Sequence, residues 1–448
     1  MTDVKIAIVG AGSASFGPGT VRDVLLSEPL KERSVELALM DIADESLERA
    51  VEFARWLKEK LGHDAQISAT TDLRTALDGA DYVVAAIEVK RALYWSMDFH
   101  VPRWYGSSQV YGENGGPGGI FHALRNMGPM VRIAKTMEDV CPQGVLLNYT
   151  NPESKLCEAI TRLSGIKAVG LCHGIHEGIS HAARVLGMES EELEVKACGI
   201  NHFTWFQEIK DKRTGEDLYP RLRQRDREGD LLSDWDNIGM DRILLRRFGL
   251  WPSPAPNHYG EYVRWASEFV CAEVQYFYDP ADGHPWETGN IPHFIYSLGG
   301  EPTNCPLEGP TQKPSSPKEA PMKPTGELGV PIMEALTCGE KRRLPAINVP
   351  NQGTIPNLPE DMVVEAPAEA DADGLRTVPC EPLPEGIAAL LRVQGSIHKL
   401  LVEAFAEKSR DKLIQAVLLD PTIDSYRNAI AMVDEMLRLQ ADILPELS

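Results

Sequence analysis

The stretch VKIAIVGAGSASFGPGT, residues 4–20, decides the fold. Its apolar start reads as a buried strand. Glycines follow at 10 and 12, Ser13 and Ser15 share the turn, and TVRDVLLSE after it reads as a helix. A strand that ends in a glycine turn and opens a helix can cradle a pyrophosphate. Gly10 permits the tight turn, and Gly12 lets backbone N–H groups approach phosphate oxygens at the helix start. The usual third glycine is replaced by Ser15, so the pattern is Gly10-x-Gly12-x-x-Ser15.

The surroundings strengthen this reading. VELALMD ends in Asp41, about where an acid accepts hydrogen bonds from a ribose diol. An acid there selects NAD over NADP, whose 2′-phosphate it repels. Three more strands, DYVVAAIEV (81–89), GVLLNYTNP (144–152) and IKAVGLC (166–172), alternate with helical patterns. That alternation predicts an α/β fold, a Rossmann doubly wound parallel sheet. Ligands of such sheets sit outside the C-terminal ends of the strands. The rule gathers Glu88 beside the cofactor, Lys90, Arg91 and Trp95 beside a substrate, Asn148 and Asn151, and Cys172.

A chain of 448 residues exceeds one ordinary core. The expected division is an NAD-binding Rossmann domain over 1–195 and an α+β lobe over 196–448 for substrate, metal and oligomerisation. Eight prolines in 302–331 exclude a long helix there and mark a loop. Residues 88–106 also read as a loop. Helical patterns at 385–410 and 411–443 are expected to pack on the second lobe.

The net charge of −21 argues against nucleic-acid and anionic-membrane partners. MTDVKIAIVG runs straight into a strand pattern, and no apolar run nears the roughly 20 residues that span a bilayer. Eight cysteines without a CxxC pair read as reduced thiols, so a cytoplasmic location is expected.

Three residues stand out: Cys172 and His173 in GLCHG, and His202 in GINHFTWF. Thiolate and imidazole are good ligands for a divalent transition metal. Two protein ligands leave positions for substrate oxygens, as a catalytic metal needs. On spacing alone, a buried cysteine and a core histidine account for the same residues.

The motifs GAGSASF, LMDI, GENGGPGGIFHALRN (112–126), LLNYTNPE, GLCHG, GINHFTWF and INVPNQGTIPNLPEDMVVEAP (347–367) go further. Together they resemble the NAD- and manganese-dependent glycosidases of glycoside hydrolase family 4, in the lactate/malate dehydrogenase superfamily. The resemblance implies a lactate/malate dehydrogenase-like fold, with Cys172 and His202 holding manganese. It makes His173 the general acid; phosphosugar members carry aspartate or asparagine there, and unphosphorylated-sugar members carry histidine. Asn151 would contact substrate hydroxyls, with Asn148 beside it, and Gly118 and Gly119 would line the reacting sugar and nicotinamide. The base departs from the pattern, because Ala255 holds the position where several members carry tyrosine or aspartate. Tyr259 is the first choice in its place, with His258 and Tyr262 behind it.

The implied reaction differs from the usual two-carboxylate hydrolysis. It runs through NAD-mediated oxidation at C3, manganese-assisted loss of the C2 proton, elimination, water addition and re-reduction. The expected substrate is an unphosphorylated, α-linked hexoside, and Lys90 and Arg91 could pair with an anionic C6 group such as a uronate or sulfonate. Family members are dimers or tetramers. Two other readings remain at this stage. One is a plain sugar or hydroxyacid dehydrogenase, whose histidine–aspartate pair and substrate arginine cannot be placed here. The other is a catalytically silent NAD-binding protein.

Overall fold

The computed structural model describes residues 3–13, 16–229, 238–269, 293–295, 303–305, 318 and 321–448. Six parallel strands form its first half: β1 (Val4–Val9), β2 (Val35–Met40), β3 (Gln66–Thr70), β4 (Tyr82–Ala85), β5 (Val145–Asn148) and β6 (Lys167–Gly170). Their spatial order is β3-β2-β1-β4-β5-β6. β1 and β2 are buried along nearly their whole length, as expected for parallel strands covered by helices on both faces. β3 was not among the expected strands. Its sequence, QISAT, is polar because it forms the sheet edge and is largely exposed.

The second half adds β7 (Leu193–Ile200), β8 (Phe203–Asp211) and β9 (Trp251–Ser253), a short antiparallel pair β10 (His293–Ile295) and β11 (Thr303–Cys305), and then β12 (Arg342–Pro350), β13 (Val363–Asp371) and β14 (Gly374–Thr377). β12 runs antiparallel to β6 through Asn348 opposite Gly170, and the order continues β6-β12-β13-β7-β8-β9. One sheet therefore crosses both lobes. The seam where parallel pairing turns antiparallel lies two residues from Cys172.

Two expectations about helices fail. Residues 88–106 are not a loop: Arg91–Trp104 is a helix, entered through Lys90 at φ 43°. Its charges and aromatics hide a buried face in which Tyr94, Met97 and Val101 follow helical spacing and pack with Ile120 and Leu124. The C-terminal helices also do not confine themselves to the second lobe. In the helix Glu385–Glu407 the first turns, with Ile387 and Leu391, do pack there. Farther along, Ile397 and Leu401 join the first lobe's core. So do Leu413 and Val417 of the helix Arg410–Leu419 and Met432 and Met436 of the helix Tyr426–Leu439. That core also holds Leu124, Met127, Leu156 and Ile160. Within it, Arg125 bonds Asp98 at 2.7 Å and Gln440 at 2.8 Å with both ionic side chains fully buried, so neither charge lacks a partner.

Most of the proline-dense segment lies outside the described residues. Its last part, from Pro321, leads into the helix Gly329–Cys338 and brings Glu327 to the strand ends. Among the described residues, no helix is long and apolar enough to cross a membrane.

Candidate active site

The cofactor side is built from backbone. Gly10 has φ +84°, and a Cβ on it would stand 2.2 Å from the Ala86 carbonyl oxygen, so only glycine fits. Gly12 donates its N–H to Asp41 Oδ2 at 2.9 Å. Ser15 lies outside the described residues. Gly17 packs closely on the turn, where a Cβ would meet the Ala11 carbonyl oxygen at 2.1 Å. Ser13 Oγ accepts from Gly17 N at 2.8 Å and closes the turn. Asp41 follows β2, and Ile42 beside it is 88% exposed. A large apolar side chain standing free next to a ribose-binding acid suits an adenine. The glycine cradle, Asp41 and Ile42 therefore fit a dinucleotide.

Glu88 is held by its neighbours. His122 Nε2 lies 2.9 Å from Oε2, Asn126 donates to Oε1 at 3.3 Å and Arg91 to Oε2 at 3.4 Å. Burial raises the carboxyl's pKa, but His122 and Arg91 outweigh it and hold the group at about 2. Arg91 also pairs with Glu113. Burial opposes the charge on Glu113 as well, and Arg91 foremost brings it down to about 2. Arg91 thus meets two carboxylates. Lys90, 64% exposed, sits 3.8 Å from Asp442 and over the Tyr94 ring.

The metal side is built from side chains. Cys172 follows β6, and His202 sits in the turn between β7 and β8 at φ 63°, a region that bulky residues seldom adopt. Cys172 Sγ and His202 Nε2 lie 3.6 Å apart. Ligands about 2.0–2.3 Å from one ion take separations of this size. Burial pushes His202 far below the usual imidazole range and keeps the ring neutral, as a ligand must be. Burial raises the Cys172 thiol, and the carboxyls of Glu365 and Glu153 add to that. A bound cation would reverse the shift and take the thiolate. These observations fit a divalent metal.

Behind Cys172, Asn348 Nδ2 donates to Glu153 at 2.8 Å and to Glu365 at 3.3 Å. Both carboxyls are buried and shifted upward by that burial. Sequence reasoning quoted their motifs, NPE and INVPN…VVEAP, without giving these residues a part. Pairing across the β6–β12–β13 seam was the missing information.

His173 caps the helix Gly174–Leu186 and is exposed, with Nδ1 3.1 Å from Glu327 Oε1. The carboxylate raises the imidazole's pKa. Asn148 turns inward: its Oδ1 accepts from Thr150 N at 2.9 Å, and its Nδ2 donates to the Thr150 carbonyl at 3.2 Å. That engagement takes its amide away from a substrate. Asn151 is half-buried, and its carbonyl accepts from Asn126 Nδ2 at 3.0 Å.

Tyr259 does not reach the metal pair. It is fully buried, and its hydroxyl donates to Asp241 Oδ1 at 2.7 Å. Burial and the Asp241 charge drive its pKa up, opposite to what a base needs. Its neighbour His258 faces the site instead, with ring centroids 4.4 Å from His202. Tyr262 is also buried, stacked on Phe203 at 5.2 Å. Tyr111 stands edge-on to His258 at 5.6 Å and packs on Trp95 at 5.2 Å, and Arg91 lies over Trp95. Arg91, Trp95, Tyr111, His258 and His202 thus form one continuous wall. Gly118 and Gly119 let the helix Gly116–Val140 start close against it, since a Cβ on either would meet backbone of Asp98 or Asn114 within 2.5 Å.

One family model, described as family 4 glycosyl hydrolase, matches residues 5–188, and a second, the C-terminal domain of that family, matches 197–423. An α-glucosidase from Erwinia rhapontici is 32% identical over 97% of this chain and 98% of its own length. An α-galactosidase from Bacillus subtilis (strain 168) is 31% identical over 99% of both chains. A solved 6-phospho-α-glucosidase from gut microorganisms, in complex with NAD and Mn2+, superposes with a TM-score of 0.76 at 24% identity, covering 99% of this chain and 100% of that one. Malate dehydrogenase from Plasmodium falciparum superposes at 0.52 and 14% identity, over 92% and 99%. These two structures speak for the fold.

Proposed function

The chain belongs to family 4 of the glycosyl hydrolases, and from that premise we propose that it is an NAD- and manganese-dependent glycosidase of an unphosphorylated, α-linked hexoside. One observation carries the proposal: Cys172 Sγ and His202 Nε2 stand 3.6 Å apart at the end of a sheet whose first turn fits a dinucleotide. Gly10, Gly12, Ser13 and Asp41 would hold the dinucleotide, and Cys172 and His202 the metal. Bound there, the dinucleotide supplies a hydride acceptor and the metal a Lewis acid for the sugar oxygens. The aligned relatives named α-glucosidase and α-galactosidase support the α-linkage and the unphosphorylated sugar.

The chain's own residues divide the remaining work. His173 protonates the leaving oxygen. Glu327 raises its pKa and so keeps more of it protonated near neutrality. Tyr111 replaces Tyr259 as the group that takes the C2 proton. Its ring borders His258 and packs on Trp95, over which Arg91 lies. Asn151 orients substrate hydroxyls. Because Arg91 already meets Glu88 and Glu113, a neutral C6 group fits better than an anionic one.

The test is nitrophenol release from α- and β-glucosides, galactosides, glucuronides and galacturonides with NAD⁺, Mn²⁺ and reductant. Release from an α-glucoside or α-galactoside that vanishes with EDTA is the expected result. No release from any glycoside, with steady NADH formation from a free sugar, would leave a dehydrogenase.

A further inference from the structure

His258 has no part in the function proposed above, yet its surroundings are those of a ligand. Its Nδ1 is buried without a hydrogen-bond partner among the described residues. One ligand atom from each of Glu113, His202 and His258 lies within 4.8 Å of the other two. A buried imidazole nitrogen left unsatisfied is costly without a partner, and a cation is one such partner.

The segment carrying His258 is also fixed in place. On one side Tyr259 is tied to Asp241, which His181 Nδ1 also contacts at 3.1 Å. On the other, the Glu261 carboxylate accepts from Glu113 N at 2.5 Å and from Asn114 N at 3.0 Å. Tyr111 closes the ring's outer edge. His258 therefore has its orientation set from three directions, as ligands held by their surroundings do.

We propose that the metal of this chain is held by three side chains rather than two, Cys172, His202 and His258, with Glu113 as the facing counter-charge. This rests on the glycosidase reading. A Cys172 thiolate would offset one charge of a dication, and the Glu113 carboxylate, paired with Arg91, faces the same ligands. Three protein ligands still leave positions for two sugar oxygens on a metal of five or six coordination.

The experiment is Mn²⁺ titration followed by electron paramagnetic resonance, on chelator-stripped protein with NAD⁺ present. It compares the parent, Cys172→Ser, His258→Ala and His258→Gln. NAD⁺ binding by each variant reports that it is folded. The His258 variants should bind Mn²⁺ at least about 10–100-fold more weakly, the loss that outer partners of a ligand alone can cause. Cobalt bound to them should keep its thiolate absorption and change its ligand-field bands. Mn²⁺ affinity within about twofold of the parent in a folded His258 variant would overturn the proposal. Unchanged Mn²⁺ binding by Cys172→Ser would instead break the glycosidase reading on which it rests.

Discussion

The two halves of the site are built in opposite ways. On the cofactor side the working groups are backbone, and four positions from Gly10 to Gly17 with Asp41 account for them. On the metal side the proposed groups are side chains: Cys172 and His202 meet because β6, β12, β13 and β7 join into one sheet, and Glu113 and His258 reach them from segments outside those strands. The first half tolerates few side chains and takes its one working side chain, Asp41, from the end of the neighbouring strand β2. The second needs every partner and makes modest demands on local conformation, the left-handed His202 apart. Adjacent residues on the metal side can have opposite fates: His258 faces the site and Tyr259 the core, because consecutive helical residues point about 100° apart.

The sharpest break in the comparison is Cys172→Ala. It should abolish metal binding and lower kcat/KM by more than about 10³-fold, a loss of several kcal/mol in charge stabilisation, while NAD⁺ binding persists. Metal analysis and an NAD⁺ titration would check both halves at once. If NAD⁺ binding fell equally, the halves would not be separable.

His173→Ala should lower kcat by about 10²–10⁴-fold, less for activated leaving groups. Glu327→Gln should act more gently and through pH. Glu327 raises the imidazole's pKa, so its loss lowers that pKa, and the alkaline limb of kcat against pH should move to lower pH. A limb that stays in place would remove Glu327 from the acid's environment.

Tyr111→Phe and Tyr259→Phe test the proposed base. Tyr111→Phe should cost about 10²-fold or more in kcat and slow exchange of the C2 proton with solvent. Tyr259→Phe should cost less than about tenfold in rate. It should also lower stability by about 1–3 kcal/mol, because Asp241 stays buried without that donor. The reverse ranking would restore Tyr259.

Gly17→Ala is the smallest change in atoms and tests the backbone half. Its Cβ would meet the Ala11 carbonyl oxygen at 2.1 Å, so the turn must shift. NAD⁺ affinity should drop by about tenfold or more, with a loss of about 1–3 kcal/mol in stability. Thermal unfolding with and without NAD⁺ separates the two effects.

Legibility followed the same division. The strand–turn–helix and Asp41 were readable because spacing along the chain expresses their chemistry. Ser15, read there in place of the third glycine, lies outside the described residues. Cys172 and His202 became visible only through resemblance, as 30 residues and a sheet seam separate them. Glu327 was hidden in a segment read as a loop, and Glu113 in a glycine motif read for its backbone. Tyr259 failed because a motif locates a segment but does not say which of its side chains turns inward. The helix Arg91–Trp104 was missed because polar and charged residues interrupt the spacing of Tyr94, Met97 and Val101 on its buried side.

The packing of the C-terminal helices against the first lobe bears on the order of synthesis. A ribosome adds about 5–20 residues per second. Residue 195 therefore leaves the peptidyl-transferase centre roughly 10–50 seconds before Met436, which completes the core around Leu124 and Leu156. Through that interval the nascent nucleotide-binding half carries an uncovered apolar face. Cells making this enzyme should hold it on chaperones during translation, and a gene cut at the boundary between the lobes should yield two insoluble halves.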